Sequence, residues 1–105
     1  PELRNHTIET AGVLNKAGVP MCICTDHPVV PEQYLPLSAG LAVRGGLDRD
    51  EALKAITIYP AQITGIADRV GSIEPGKDAD IVIFSGDPLS VCDTPDTVII
   101  NGKVI

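Results

Sequence analysis

The sequence changes character near Ile66, and that change limits the folds open to it. Before Ile66, apolar residues recur at helical spacing in segments punctuated by Gly18, Gly45-Gly46 and Gly65. After it, short β-rich runs alternate with Pro and Gly turns. Residues 7–17 place Ile8, Ala11, Leu14 and Ala17 at three-residue steps, with Thr7 to cap the start and Gly18 to stop the helix. Residues 20–24, ending in Met21-Cys22-Ile23-Cys24, predict a strand. Residues 32–44 are again rich in helix formers, with Pro36 in the first turn, where its missing N–H does no harm. Asp48-Arg49-Asp50-Glu51 has the form of a capping box, with Asp48 accepting from backbone N–H groups and Glu51 reaching back. Tyr59-Pro60 interrupts the helix behind it, and a short second helix is expected over 60–64, ended by Gly65.

Beyond the change, Glu74-Pro75-Gly76-Lys77 suits a type II turn. Asp80-Ile81-Val82-Ile83-Phe84 reads as a strand buried on both faces, and Gly86-Asp87-Pro88 as a second turn. Asn101-Gly102 between Thr97–Ile100 and Lys103–Ile105 is a strong hairpin signal. A helix–strand–helix–helix half thus precedes an all-strand half, with the boundary near 66–69. The class is α/β, with no internal repeat and no low-complexity segment.

With one Phe, two Tyr and no Trp, any core must be aliphatic, as where helices pack on buried parallel strands. A net charge of −6, no basic block and so few aromatics argue against a nucleic-acid surface. No apolar run is long enough to span a membrane. Three cysteines cannot all pair within the chain, so they read as reduced, mostly buried thiols in a reducing cytoplasm. The chain opens on Pro1 rather than Met, which suits a processed terminus or the tail of a longer protein.

The chemistry concentrates where the predicted strand stops, at Thr25-Asp26-His27-Pro28. Alternation points Cys22, Cys24 and Asp26 one way, and Met21, Ile23 and Thr25 the other. Asp26 then stands at the C-terminal edge of a strand, where parallel α/β folds build their sites, and a carboxylate there can bind a metal or take a proton from metal-bound water. The same residue also suits a turn or helix cap before Pro28, and the residues alone leave both readings open. His27, a lone histidine next to Pro, reads more readily as a solvent-facing or backbone-bonding group than as a ligand, and His6 reads as structural or exposed. Cys22, Cys24 and the distant Cys92 do not make a structural zinc set, and no nucleophile constellation or glycine-rich phosphate loop is present.

Thr25-Asp26-His27-Pro28 followed by Leu35-Pro36-Leu37-Ser38-Ala39-Gly40-Leu41-Ala42-Val43-Arg44 resembles the C-terminal part of the amidohydrolase superfamily. The likeness runs on through Glu51–Ala61, is strongest over Gly71-Ser72-Ile73-Glu74-Pro75-Gly76-Lys77-Asp78-Ala79-Asp80-Ile81-Val82-Ile83-Phe84, and closes with Asp87-Pro88-Leu89 and Ile100–Val104. Imidazolonepropionase-like members look nearest. Tyr59 departs from the Asn usual before that Pro, at a helix junction.

The resemblance implies a C-terminal fragment of a (β/α)8 TIM-type barrel followed by strands of a small β-sandwich. Residues 1–66 would hold the last strand and closing helices, and residues 67–105 the C-terminal share of the sandwich. It implies that Asp26 is both metal ligand and catalytic proton shuttle, that His27 borders the substrate, and that the metal is a divalent ion such as zinc. The reaction implied is hydrolysis of a C–N bond, such as a cyclic amide, in a small molecule. The family's other ligands, a His-x-His pair and further histidines, are missing from a chain with two histidines, so the isolated chain is expected to be inactive. Cut from its barrel it is expected to self-associate through exposed strand edges, or to belong to a homo-oligomer. The alternative from another class is a free-standing, non-catalytic module that binds a partner through its strands.

Overall fold

The computed structural model describes residues 7–105; His6 lies outside them. Helix α1 spans Thr10–Lys16. Thr7 caps the turn before it rather than the helix itself: its hydroxyl accepts from the Glu9 N–H at 3.3 Å. Gly18 takes a φ of +72°, and Val19 N–H reaches the Leu14 carbonyl at 3.0 Å, closing the last turn. A turn of 3-10 helix at Glu32–Tyr34 leads into α2, Leu35–Arg44, with Pro36 in its first turn. Gly45-Gly46 ends α2, and Leu47 N–H bonds back to the Ala42 carbonyl at 3.0 Å.

Helix α3 spans Arg49–Lys54, and α4 spans Ile58–Ile63. The capping box forms by half. Asp48 Oδ2 accepts from the N–H groups of Asp50 and Glu51 at 3.0 and 3.3 Å. Glu51 does not reach back, because three other donors engage its carboxylate. The last helix begins two residues earlier than the sequence suggests, since Pro60 is tolerated within a first turn whose N–H groups have no helical partner.

The strand half is a three-stranded antiparallel sheet in the order β1 (Ile81–Phe84), β2 (Pro95–Ile100), β3 (Lys103–Val104). Ile81 faces Ile99 and Ile83 faces Thr97, then Phe84 faces Pro95, so Asp96 is the extra residue of a bulge. Asn101 and Gly102, at φ +51° and +75°, make the two-residue turn that joins β2 to β3. Gly76, at φ +92°, fits the expected turn after Pro75, and Lys77 N–H closes it on the Glu74 carbonyl at 3.2 Å. One expectation fails here: β1 is not buried on both faces. Val82 and Ile83, which point to opposite faces, are 49% and 47% exposed, so neither face of β1 is fully covered by the described residues.

The core is made of small side chains. Ala39, Ala42, Leu47 and Ala52 form its buried centre, with Met21, Ile23, Ile56 and Leu89 packed around it. Small residues let backbones come close: a Cβ on Gly40 of α2 would lie 2.6 Å from the Leu89 carbonyl oxygen. The Leu89 loop is held by Asp87, whose carboxylate accepts from Leu89 N–H at 2.9 Å and pairs with Arg49 at the start of α3. Those two contacts, the Leu89 N–H first, hold the Asp87 carboxyl below the usual range. The loop between β1 and β2 is therefore packed against the helical core through Leu89. No helix among the described residues is long and apolar enough to cross a membrane.

Candidate functional site

Residues 19–25 run extended from the Gly18 turn, but they are not a strand. A strand needs a ladder, and among the described residues none runs beside this segment. One bond ties its middle to the helices: Ile23 N–H donates to the Ala55 carbonyl at the end of α3, at 2.9 Å. The alternation read from the sequence is nonetheless present. Met21 and Ile23 pack against the core, while Cys22, Cys24 and Asp26 face outward and are exposed. The cysteines are thus free but not buried, Cys92 included, because nothing among the described residues covers their side of the segment.

Asp26 ends the segment in a tight turn. Its φ of +52° lies in the left-handed region, which Asp enters more readily than most residues. Its carbonyl accepts from Val29 N–H at 2.9 Å, and the Thr25 carbonyl from Val30 N–H at 3.2 Å. The turn uses the Asp26 backbone alone. The helical turn that follows is entered from Pro31 with no side-chain cap, and the Asp26 carboxylate accepts no hydrogen bond among the described residues. Turn residue and exposed acid are therefore compatible, and Asp26 is both. His27 lies next to it, exposed, ahead of a cis bond to Pro28.

Among the described residues, no three His, Cys, Asp or Glu side chains come together in a way that could hold a metal ion. Asp26 is a single donor, so this chain alone does not fit a zinc site, which needs about three protein ligands. Two grooves among the described residues run clear of Asp26 and His27. One of about 480 Å3 runs between the Gly18 turn and α4, past Asn15, Met21 and Tyr59. The other, about 620 Å3, lies between α3 and β1, along Leu53, Ile56, Val70 and Phe84.

One polar cluster escapes the sequence reading. Glu51 Oε2 accepts from Tyr59 Oη at 2.6 Å and from Asn15 Nδ2 at 3.1 Å, while Oε1 accepts from Lys54 Nζ at 3.2 Å. The Tyr59 hydroxyl first, then Lys54, holds the Glu51 carboxyl below its usual range, and the same bond pushes the Tyr59 phenol up. Lys54 and Glu51 are one turn apart and could have been paired from spacing. Asn15, far away in sequence, left no such signal.

With this geometry in hand, comparison with known proteins places the chain. The amidohydrolase family profile matches residues 2–105, and the chain belongs to that family. It is 37% identical over 90 residues to the amidohydrolase tasK of Hapsidospora irregularis, covering 86% of this chain and 9% of that protein. It is 47% identical over 72 residues to an imidazolonepropionase of Geobacillus kaustophilus, covering 66% of this chain and 17% of that enzyme. An amidohydrolase structure from Thermotoga maritima superposes with a TM-score of 0.94 at 42% identity, over 99% of this chain and 27% of that one. The chain thus spans between 9% and 27% of the length of these relatives.

Proposed function

We propose that this chain is the C-terminal part of a metal-dependent amidohydrolase that hydrolyses a C–N bond, such as a cyclic amide, in a small molecule of the cytoplasm. In this reading residues 1–66 close a (β/α)8 barrel, with the extended segment as its last strand. Residues 67–105 give their strands to a small β-sandwich. The observation that carries the reading is the Asp26 carboxylate, unengaged at the C-terminal end of an extended segment whose other face is docked on helices. That edge is where barrel enzymes place their chemistry. The missing ladder agrees with it, since a barrel strand finds its neighbours in the rest of the barrel.

Asp26 would supply one ligand to a divalent ion such as zinc, the others coming from the longer protein. The ion, when bound, polarises the substrate carbonyl and acidifies water. Asp26 holds the proton given up by the attacking water and returns it to the leaving nitrogen. His27, beside it on the exposed turn, borders the substrate. The test is metal analysis of the longer protein, with an assay on a panel of cyclic amides and imidazolones. Zinc and hydrolysis are expected there and in neither case for the isolated chain. A metal-free, fully active longer protein would refute the proposal.

The interaction-module reading retains one supporting observation. Among the described residues the sheet's first and last strands, β1 and β3, have no outer partner and carry exposed apolar side chains at Val82, Ile83 and Val104. In the isolated chain this favours self-association, while in the longer protein the same edges are available to sandwich strands.

A further inference from the structure

We infer that Val29 and Val30 set the substrate preference of the site at Asp26, favouring an uncharged, apolar substituent over a carboxylate; this deepens the reading of Asp26 given above and rests on it. The turn Asp26-His27-Pro28-Val29 closes on Asp26 itself. Val29 N–H donates to the Asp26 carbonyl at 2.9 Å, and Val30 N–H to the Thr25 carbonyl at 3.2 Å. A turn closed in this way brings its first and last Cα atoms within about 7 Å of each other. Val29 thus stands across the turn from the acid, and Val30 across from Thr25. Valine is among the residues most often fully buried, yet Val29 is 76% exposed and Val30 39%. Pro28 and Pro31 flank the pair and fix φ on either side, so the apolar surface is stiff before anything touches it.

Charge around the turn works in the same direction. Between Asp26 and Arg44 the sequence holds a single acid, Glu32, which is exposed, and no Lys or Arg. A carboxylate substituent seated here would meet two acids and no permanent cation. An alkyl or aryl group would instead bury apolar surface on the two valines. Repulsion of the wrong substituent and attraction of the right one both add to the preference. The bonds that shape the turn lie within residues 25–30, so they owe nothing to the strands that flank the segment in the longer protein. In barrel enzymes the loop after a strand's C-terminal end is where substrate choice is made.

The test uses the longer protein and two lactams of the same ring, one bearing an isobutyl group and the other a carboxyethyl group. Hydrolysis gives kcat and KM for each, and calorimetry in the presence of a chelator gives their binding without metal. Wild type should favour the isobutyl lactam by about tenfold or more, in binding and in kcat/KM. Val29→Ala should raise KM for that lactam about fivefold with kcat little changed, because the lost contact is shared by ground and transition states. Val29→Arg, at an exposed position, should reverse the preference in both measurements. Variants that lower the melting temperature but keep the wild-type preference would mean that another loop covers Val29 in the longer protein, and would overturn the proposal. A wild-type preference for the carboxyethyl lactam would overturn it as well. Failure of the Asp26 reading would show separately, as wild-type kcat in Asp26→Asn, and would remove the proposal with it.

Discussion

Asp26, on which the proposed function depends, and Glu51, which fastens the helices, are opposites among the carboxylates. Asp26 engages nothing among the described residues, while Glu51 engages three side chains. The bonds around Glu51 are a pH-dependent fastening. Its carboxyl is held low, chiefly by the Tyr59 hydroxyl, so its contribution is complete above about pH 4.3 and is lost as pH falls through the lower folded value. Tyr59 is pushed up by the same bond, so its share is complete below about pH 10 and is lost as pH rises through the higher folded value. The melting-temperature advantage of wild type over Glu51→Gln should therefore be flat from about pH 5 to pH 9 and shrink below about pH 4. An advantage that grew in acid would contradict these bonds. Sequence spacing read Glu51 as half of a capping box because it sees only neighbours; the carboxylate instead chose partners on three helices.

At the scale of elements, packing depends on close backbone approach more than on bulk. Gly40 lets α2 lie against the Leu89 carbonyl, where a Cβ would sit at 2.6 Å with backbone, not a flexible tip, as its neighbour. Gly40→Ala should cost about 1–3 kcal/mol, read from thermal or urea melts, as overpacking against an unyielding partner does. A neutral substitution would mean that the Leu89 loop yields freely. The elements legible in the sequence were those with local causes. Gly18, Gly45-Gly46 and Gly65 stop helices wherever they fall, and Asn101-Gly102 makes its turn without help from the rest of the chain. The illegible ones depended on neighbours. Ile81–Phe84 has the apolar run of a fully buried strand yet is half-exposed, because side-chain pattern does not reveal what covers its faces. Residues 20–24 have a strand's alternation without a ladder, since pairing partners are a property of the whole sheet. Alternation did reveal which side Asp26 takes, but nothing local could reveal that Cys22 and Cys24 would be uncovered.

The whole molecule shows a small core, open sheet edges and an extended segment docked on one side only. Ala39, Ala42 and Ala52 bury little surface each, and much of the apolar surface lies on strands and turns that face outward. Light scattering of the isolated chain should therefore report dimers or larger species that grow with concentration. A monomer at high concentration would show that the exposed edges are protected by their own geometry. In the longer protein the same surfaces should be covered, and exchange across β1 should slow relative to the isolated chain. The most direct measurement concerns Asp26 in that longer protein. Asp26→Asn keeps the size and the left-handed backbone but removes the charge, so hydrolysis should fall by about a thousandfold or more and bound metal should be lost or weakened. Wild-type activity with wild-type metal content in Asp26→Asn would contradict the account.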